Sequence, residues 1–143
     1  VVELQAISAA SFAVWLVYIL GELAAIGVHA LSSEAEGAGK NRTAIAESIV
    51  QGAYFSVLAS AVAYAASSPR FLRDYFRLVG VSDPRVAAAG AAYLRVTAAW
   101  GTLPLSLSCV ATSGFRGLGE TRAALAIASG TVLLNAVLNA WFI

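Results

Sequence analysis

The sequence predicts an all-α membrane protein: a polytopic helical bundle with four transmembrane helices and one amphipathic surface helix. Three observations carry that prediction. Hydrophobic residues make up 59% of the 143 and charged residues 12%, against roughly 45–50% and about 25% in soluble domains, so a water-soluble fold would have too little polar surface to cover itself. The apolar residues fall in four long runs, each offering about the 20 residues that a bilayer crossing requires. Between the runs lie short stretches rich in glycine, proline and charge.

The first run covers 4–31 and is broken by Glu22 and His29. Ser32 to Thr43, SSEAEGAGKNRT, reads as a water-facing loop because it is small, charged and glycine-bearing. The second run covers 44–66, with Glu47 near its start as an interfacial residue. Ser67 to Gly80 is different in kind. Phe71, Leu72, Tyr75, Phe76 and Val79 share one helical face, and Arg70, Arg73, Asp74 and Arg77 share the other, which is the pattern of a helix lying along a membrane surface. Ser68 before Pro69 predicts its start and Gly80 its stop, giving a surface helix over 69–80. Asp83-Pro84 repeats the start signal, and the third run follows over 86–111. It carries Arg95 and also Pro104, whose ring removes a backbone donor and is expected to kink the helix. Ser113 to Arg122, SGFRGLGETR, is a second glycine-rich turn, and the fourth run, 123–143, holds Asn135 and Asn139. Alanine, glycine and serine recur in every run, as close helix packing in lipid requires.

Several function classes are excluded on the same grounds. A net charge of +1 provides no electrostatic footprint for nucleic acid. Cys109 is the single cysteine and His29 the single histidine, so neither a disulfide framework, nor a metal site of the usual His/Cys spacing, nor a serine-histidine-acid set is expected. Gly114, Gly117 and Gly119 lack the order of a phosphate-binding loop. No enzyme and no cofactor are expected. Basic residues do not fix the orientation: Lys40, Arg42, Arg116 and Arg122 fall on one side, and Arg70, Arg73, Arg77 and Arg85 on the other. With Val1 at its start, no methionine, and apolar sequence at both ends, the chain is expected to be a fragment of a larger transporter.

The polar residues inside the runs are the candidate site. An ionisable side chain at the centre of a span costs about 2.5–3.5 kcal/mol on insertion scales, so Glu22 is expected to face protein or water. It is either a titrating group on a transport path or a structural acid paired with Arg95. Arg95 can also snorkel to the surface along its own stem. Tyr93, Trp100, Trp15 and Trp141 read as packing or interfacial aromatics. Asn135 and Asn139, four residues apart, project from one helix face, where two amides either line a cavity or bind helices together.

VELQAISAASF, LSSEAEGAGKNRTAIAES, VSDPRVAAAGAAYLR and GFRGLGETRAAL, followed by LLNAVLNAWFI, resemble in order and spacing the first lobe of multidrug and toxic compound extrusion (MATE) transporters. The sharpest likenesses are Asp83, Pro84, Tyr93, Leu94 and Arg95 before and within the fourth helix of that family, and Arg116, Gly117, Glu120, Thr121 and Arg122 in the turn before its fifth. The resemblance implies helices two to five of a six-helix lobe, with the remaining helices and a second lobe as partners, and the Ser32 and Ser113 loops on the cytoplasmic side or its equivalent. It implies an integral membrane antiporter exporting organic or xenobiotic solutes, coupled to a proton or sodium ion. A lipid-linked precursor flippase of the same superfamily is the nearest alternative, and a structural membrane protein is another. In the family an asparagine and, four residues later, an acid help to form the cation site of the first lobe. Asn135 matches the asparagine, whereas Asn139 stands at the acid, so coupling would fall to another carboxylate.

Overall fold

The computed structural model describes residues 2–39 and 42–142, and in Arg42, Asn135, Leu138, Asn139 and Phe142 the backbone alone. The described residues are helical and contain no strand. In chain order they form α1 (Val2–Gly37), α2 (Arg42–Ala66), the short α3 (Pro69–Leu78), α4 (Pro84–Val96), a π-helical turn (Thr97–Gly101), α5 (Thr102–Gly117) and α6 (Thr121–Phe142). Helices Val2–Gly37 and Thr43–Ala66 are each long and apolar enough to cross a membrane unaided. The third crossing is a composite in which α4, the π-helical turn and α5 follow without interruption. The fourth is α6.

Two expected loops are largely helix. Ser32 to Gly37 continues α1, because Ser32 is fully buried, Ala35 is 4% exposed, and the Ser32 hydroxyl lies 3.0 Å from that of Ser48. Ser113 to Gly117 likewise continues α5, leaving only 118–120 as the turn. The helices stop where glycine takes over. Gly80 (φ 81°) and Gly119 (φ 73°) adopt the left-handed conformation. After each, the chain closes the same motif, with Gly80 N–H to Arg77 O and Val81 N–H to Phe76 O, and with Gly119 N–H to Arg116 O and Glu120 N–H to Phe115 O. These paired bonds satisfy carbonyls that a helix end otherwise leaves open. At the starts, Asp83 accepts from the Arg85 N–H at 2.8 Å. Ser68 occupies the cap position but makes no side-chain cap bond; Pro69 fixes the start through its own ring.

Pro104 lies inside α5, and the irregularity sits just before it, in the π-helical turn Thr97–Gly101. A proline cannot donate to the carbonyl four residues earlier and crowds it, and a widened turn relieves that crowding. Two threonine hydroxyls donate to carbonyls around the change of register, Thr97 to Tyr93 O at 2.8 Å and Thr102 to Ala98 O at 2.7 Å. Buried backbone groups without water need such substitutes.

The core is a seam of small residues. α1 packs against α2, α4 and α5, α2 packs against α5, and α6 packs chiefly on α5. Ala6 lies beside Gly90, Gly21 beside Ser106, and Ser32 beside Gly117, so α1 runs parallel to the third crossing. Val28 meets Gly52 and Ser32 meets Ser48, so α2 runs antiparallel to α1. The Ser106 hydroxyl donates to that of Ser56 at 2.7 Å and joins α5 to α2. A Cβ at Gly117 would lie 2.5 Å from the Ser32 Cβ and 3.1 Å from the His29 carbonyl oxygen. At the other end, α3 seats Leu72 and Phe76 in a cluster with Ala10 and Leu94, and the Tyr75 hydroxyl donates to Ala9 O at 2.8 Å. The expected apolar face of α3 is therefore divided. Leu72 and Phe76 point into the bundle, whereas Phe71 is 54% exposed.

Gly117→Ala should destabilise the protein by about 1–3 kcal/mol, the usual cost of overpacking. Gly37→Ala, whose added carbon meets nothing, should be neutral or slightly stabilising. Thermal unfolding in detergent reads both, and equal midpoints for the two variants would refute the seam. The alternating helix directions also predict sidedness. After replacement of Cys109, cysteines at Glu36 and Glu120 should react with an impermeant thiol reagent from one side of the membrane, and a cysteine at Ser82 only from the other. Labelling of all three from one side would refute the four crossings.

Candidate functional site

A cleft of about 400 Å³ between α1, α5 and α6 collects a group of polar residues. Glu22 reaches it from α1. Its half-buried carboxylate accepts from the Cys109 thiol, with Sγ 3.4 Å from Oε1. Tyr18, one helical turn earlier on the same face, brings its hydroxyl toward the same carboxylate. Ser108, Thr112 and Ser113 continue the polar lining along α5, and Thr131 faces them from α6. Arg116 stands at the end of the cleft nearest the α5–α6 turn. The Thr112 hydroxyl donates to Ser108 O and the Thr131 hydroxyl to Ile127 O, so their oxygens remain free to accept. One carboxylate ringed by hydroxyl oxygens and a thiol can take up a proton or solvate a small cation.

The seam places this group. Gly21 is buried against Ser106: a Cβ added there would lie 3.5 Å from the serine Cβ. The residue after it, Glu22, must then point beside α5 and toward α6. A glycine at the contact and an acid next to it thus set the depth of the carboxylate and the direction in which it points.

The structure separates the residues that the sequence had considered together. Glu22 and Arg95 are not paired: Glu22 faces Cys109, while Arg95 lines a different groove, beneath α3. Arg95 is exposed, as snorkelling requires. Tyr93 is 38% exposed and its carbonyl accepts from Thr97, and it is the intervening Leu94, 2% exposed, that anchors this motif in the core. In the turn motif, Gly117 is a packing contact, Arg116 lines the cleft, and Thr121 and Arg122 are exposed at the start of α6, where with Arg116 they edge a shallower hollow. Asn135 and Asn139 lie in α6, and their side chains fall outside the described residues.

Sequence reasoning missed Cys109 as a partner of Glu22 and missed the buried serines. The serines had a signal. Ser48, Gly52, Ser56 and Ser60 recur every four residues along α2, and Thr102, Ser106, Val110 and Gly114 do so along α5. These are stripes of the kind through which membrane helices approach closely. Nothing in the sequence pairs Cys109 with Glu22, since 87 residues separate them.

Neither curated proteins nor solved structures match this chain. A family model described as MatE matches residues 1–141. That match takes in all four crossings and the cleft between them, and the chain belongs to the MatE family of integral membrane transporters.

Proposed function

We propose that the protein is a secondary antiporter that exports an organic solute in exchange for a proton or sodium ion, with Glu22 as a coupling group. The observation that supports this reading is the setting of Glu22: a lone carboxylate within a membrane crossing, held by a thiol in a cleft lined with hydroxyls. An acid kept in such a place at an insertion cost is a functional group by default. Coupling requires that occupancy of this group favour one of two access states over the other. A carboxylate between α1, α5 and α6 can do so, because binding a cation changes the charge along a helix interface that has to move. Alternating access in such transporters turns on rocking of one bundle against another, so the remaining helices and a second lobe are part of the proposal. Asn135 and Asn139 extend the proposed path along α6, and no resident cofactor is needed.

In the full-length protein, Glu22→Gln should reduce gradient-driven efflux roughly tenfold or more, within the usual range of coupling between two sites, at unchanged abundance. Glu22→Asp should retain part of it. Normal efflux with an unchanged ion and pH dependence in Glu22→Gln would refute the role of Glu22. Asn139→Asp adds a titratable group to the same path and should alter the pH profile of efflux. An unaltered profile at equal expression would remove Asn139 from the path.

A further inference from the structure

A second built feature lies outside the cleft, at the opposite end of the bundle, where a groove of about 480 Å³ separates α3 from α4. We propose that this groove binds an anionic phospholipid, its phosphate held by Arg73, Arg77 and Arg95 and one acyl chain laid along Ala87 and Ala91.

The three arginines come from two helices and line one groove, Arg73 and Arg77 from α3 and Arg95 from α4. All three are exposed, and no carboxylate lines the groove with them, Asp74 of α3 included. The nearest acid in sequence to α4, Asp83, is engaged as the cap of that helix. Three arginines lining one groove call for an anion with several oxygens, and the planar fork of arginine can hold phosphate through paired hydrogen bonds.

The groove floor argues for a lipid over a soluble anion. Ala87 and Ala91 are small, and they lie one turn apart on the face of α4 that leads to Arg95. Val81 and the ring of Pro84 continue the apolar lining at one end, over a base closed by the buried Leu72 and Phe76. A hydrated inorganic ion gains nothing from such a lining, whereas an acyl chain is matched to it.

The level in the membrane also fits. The third crossing runs from 84 to 117, 34 residues, which at about 1.5 Å each is roughly 50 Å, well beyond the ~30 Å hydrocarbon core. If about 20 residues end near Ser113, the core begins near Tyr93, and Arg95 sits at the headgroup boundary. Helix α3 is seated at the same level, since Leu72 and Phe76 pack with Leu94. On the outer side of α3, Phe71 and Leu78 are 54% and 87% exposed, which suits a helix embedded in the interface. Basic pockets between membrane helices are established binders of anionic headgroups in general.

The test uses the full-length protein, purified in detergent and delipidated, with native mass spectrometry counting bound phosphatidylglycerol and phosphatidylcholine of identical acyl chains. Phosphatidylglycerol should bind more tightly, and the Arg73→Gln/Arg77→Gln/Arg95→Gln variant should lose roughly tenfold or more of that affinity. Arg70→Gln removes one charge from α3 outside the groove and should leave binding close to wild type. Ala91→Leu fills the floor without touching a charge and should also weaken lipid binding. Equal binding of the two lipids, an equal loss in Arg70→Gln and the triple variant, or full binding in Ala91→Leu would each overturn the proposal. Displacement of phosphatidylglycerol by low millimolar inorganic phosphate would identify a soluble-anion site and overturn it as well. Circular dichroism and unfolding midpoints verify that the variants are folded.

Discussion

The structure depends on how closely α1 can approach α2 and α5. In lipid, apolar side chains gain nothing by turning from acyl chains to each other, so helices associate only where backbones come near enough for dense packing and interhelical hydrogen bonds. Gly52, Gly114 and Gly117 supply that approach, and Ser32, Ser48, Ser56 and Ser106 bond across it. Such hydrogen bonds average only about 0.6 kcal/mol in membranes. Their contribution is register: the Ser32–Ser48 and Ser56–Ser106 pairs form only when the helices are correctly offset.

Register then decides where function can sit. The parallel alignment of α1 with the third crossing brings Glu22 beside Cys109 and keeps it away from Arg95. A carboxylate neutralised by an arginine would be a fixed ion pair, costly to break. Here a thiol holds it instead. The same alignment lifts Arg95 to the level of α3, away from the cleft that Glu22 and Arg116 line. α3 itself is tied down by Phe76 occupying the space that Gly90 leaves, which explains why a ten-residue helix holds a defined place.

Much of this was legible in the sequence. Pro69, Gly80 and Pro84 mark α3 and its neighbours closely, because proline and glycine act through backbone geometry that needs no tertiary context. The ends of α1 and α5 were not legible. SSEAEG and SGFRG read as loops by composition, yet Ser32 and Gly117 are helical because each buries the other. Pro104 marks an irregular helix, and the irregularity takes the form of the π-helical turn just before it. Glu22 was recognised as a candidate from its depth alone; its partner could not be, since the choice between Cys109 and Arg95 is a matter of register between distant segments. The role assigned to Asn135 and Asn139 rests on their spacing and family resemblance.

The proposed coupling role of Glu22 requires that its cleft be open to water and to the transported species. Cys109 reports on it directly, since its thiol touches Glu22. In the full-length protein with any other cysteines replaced, the rate of Cys109 modification by a small water-soluble methanethiosulfonate should be measurable, and it should fall when a transported solute or the coupling cation is present at saturation. A Cys109 that is inert to the reagent, or one that reacts at the same rate whatever is bound, would contradict the account.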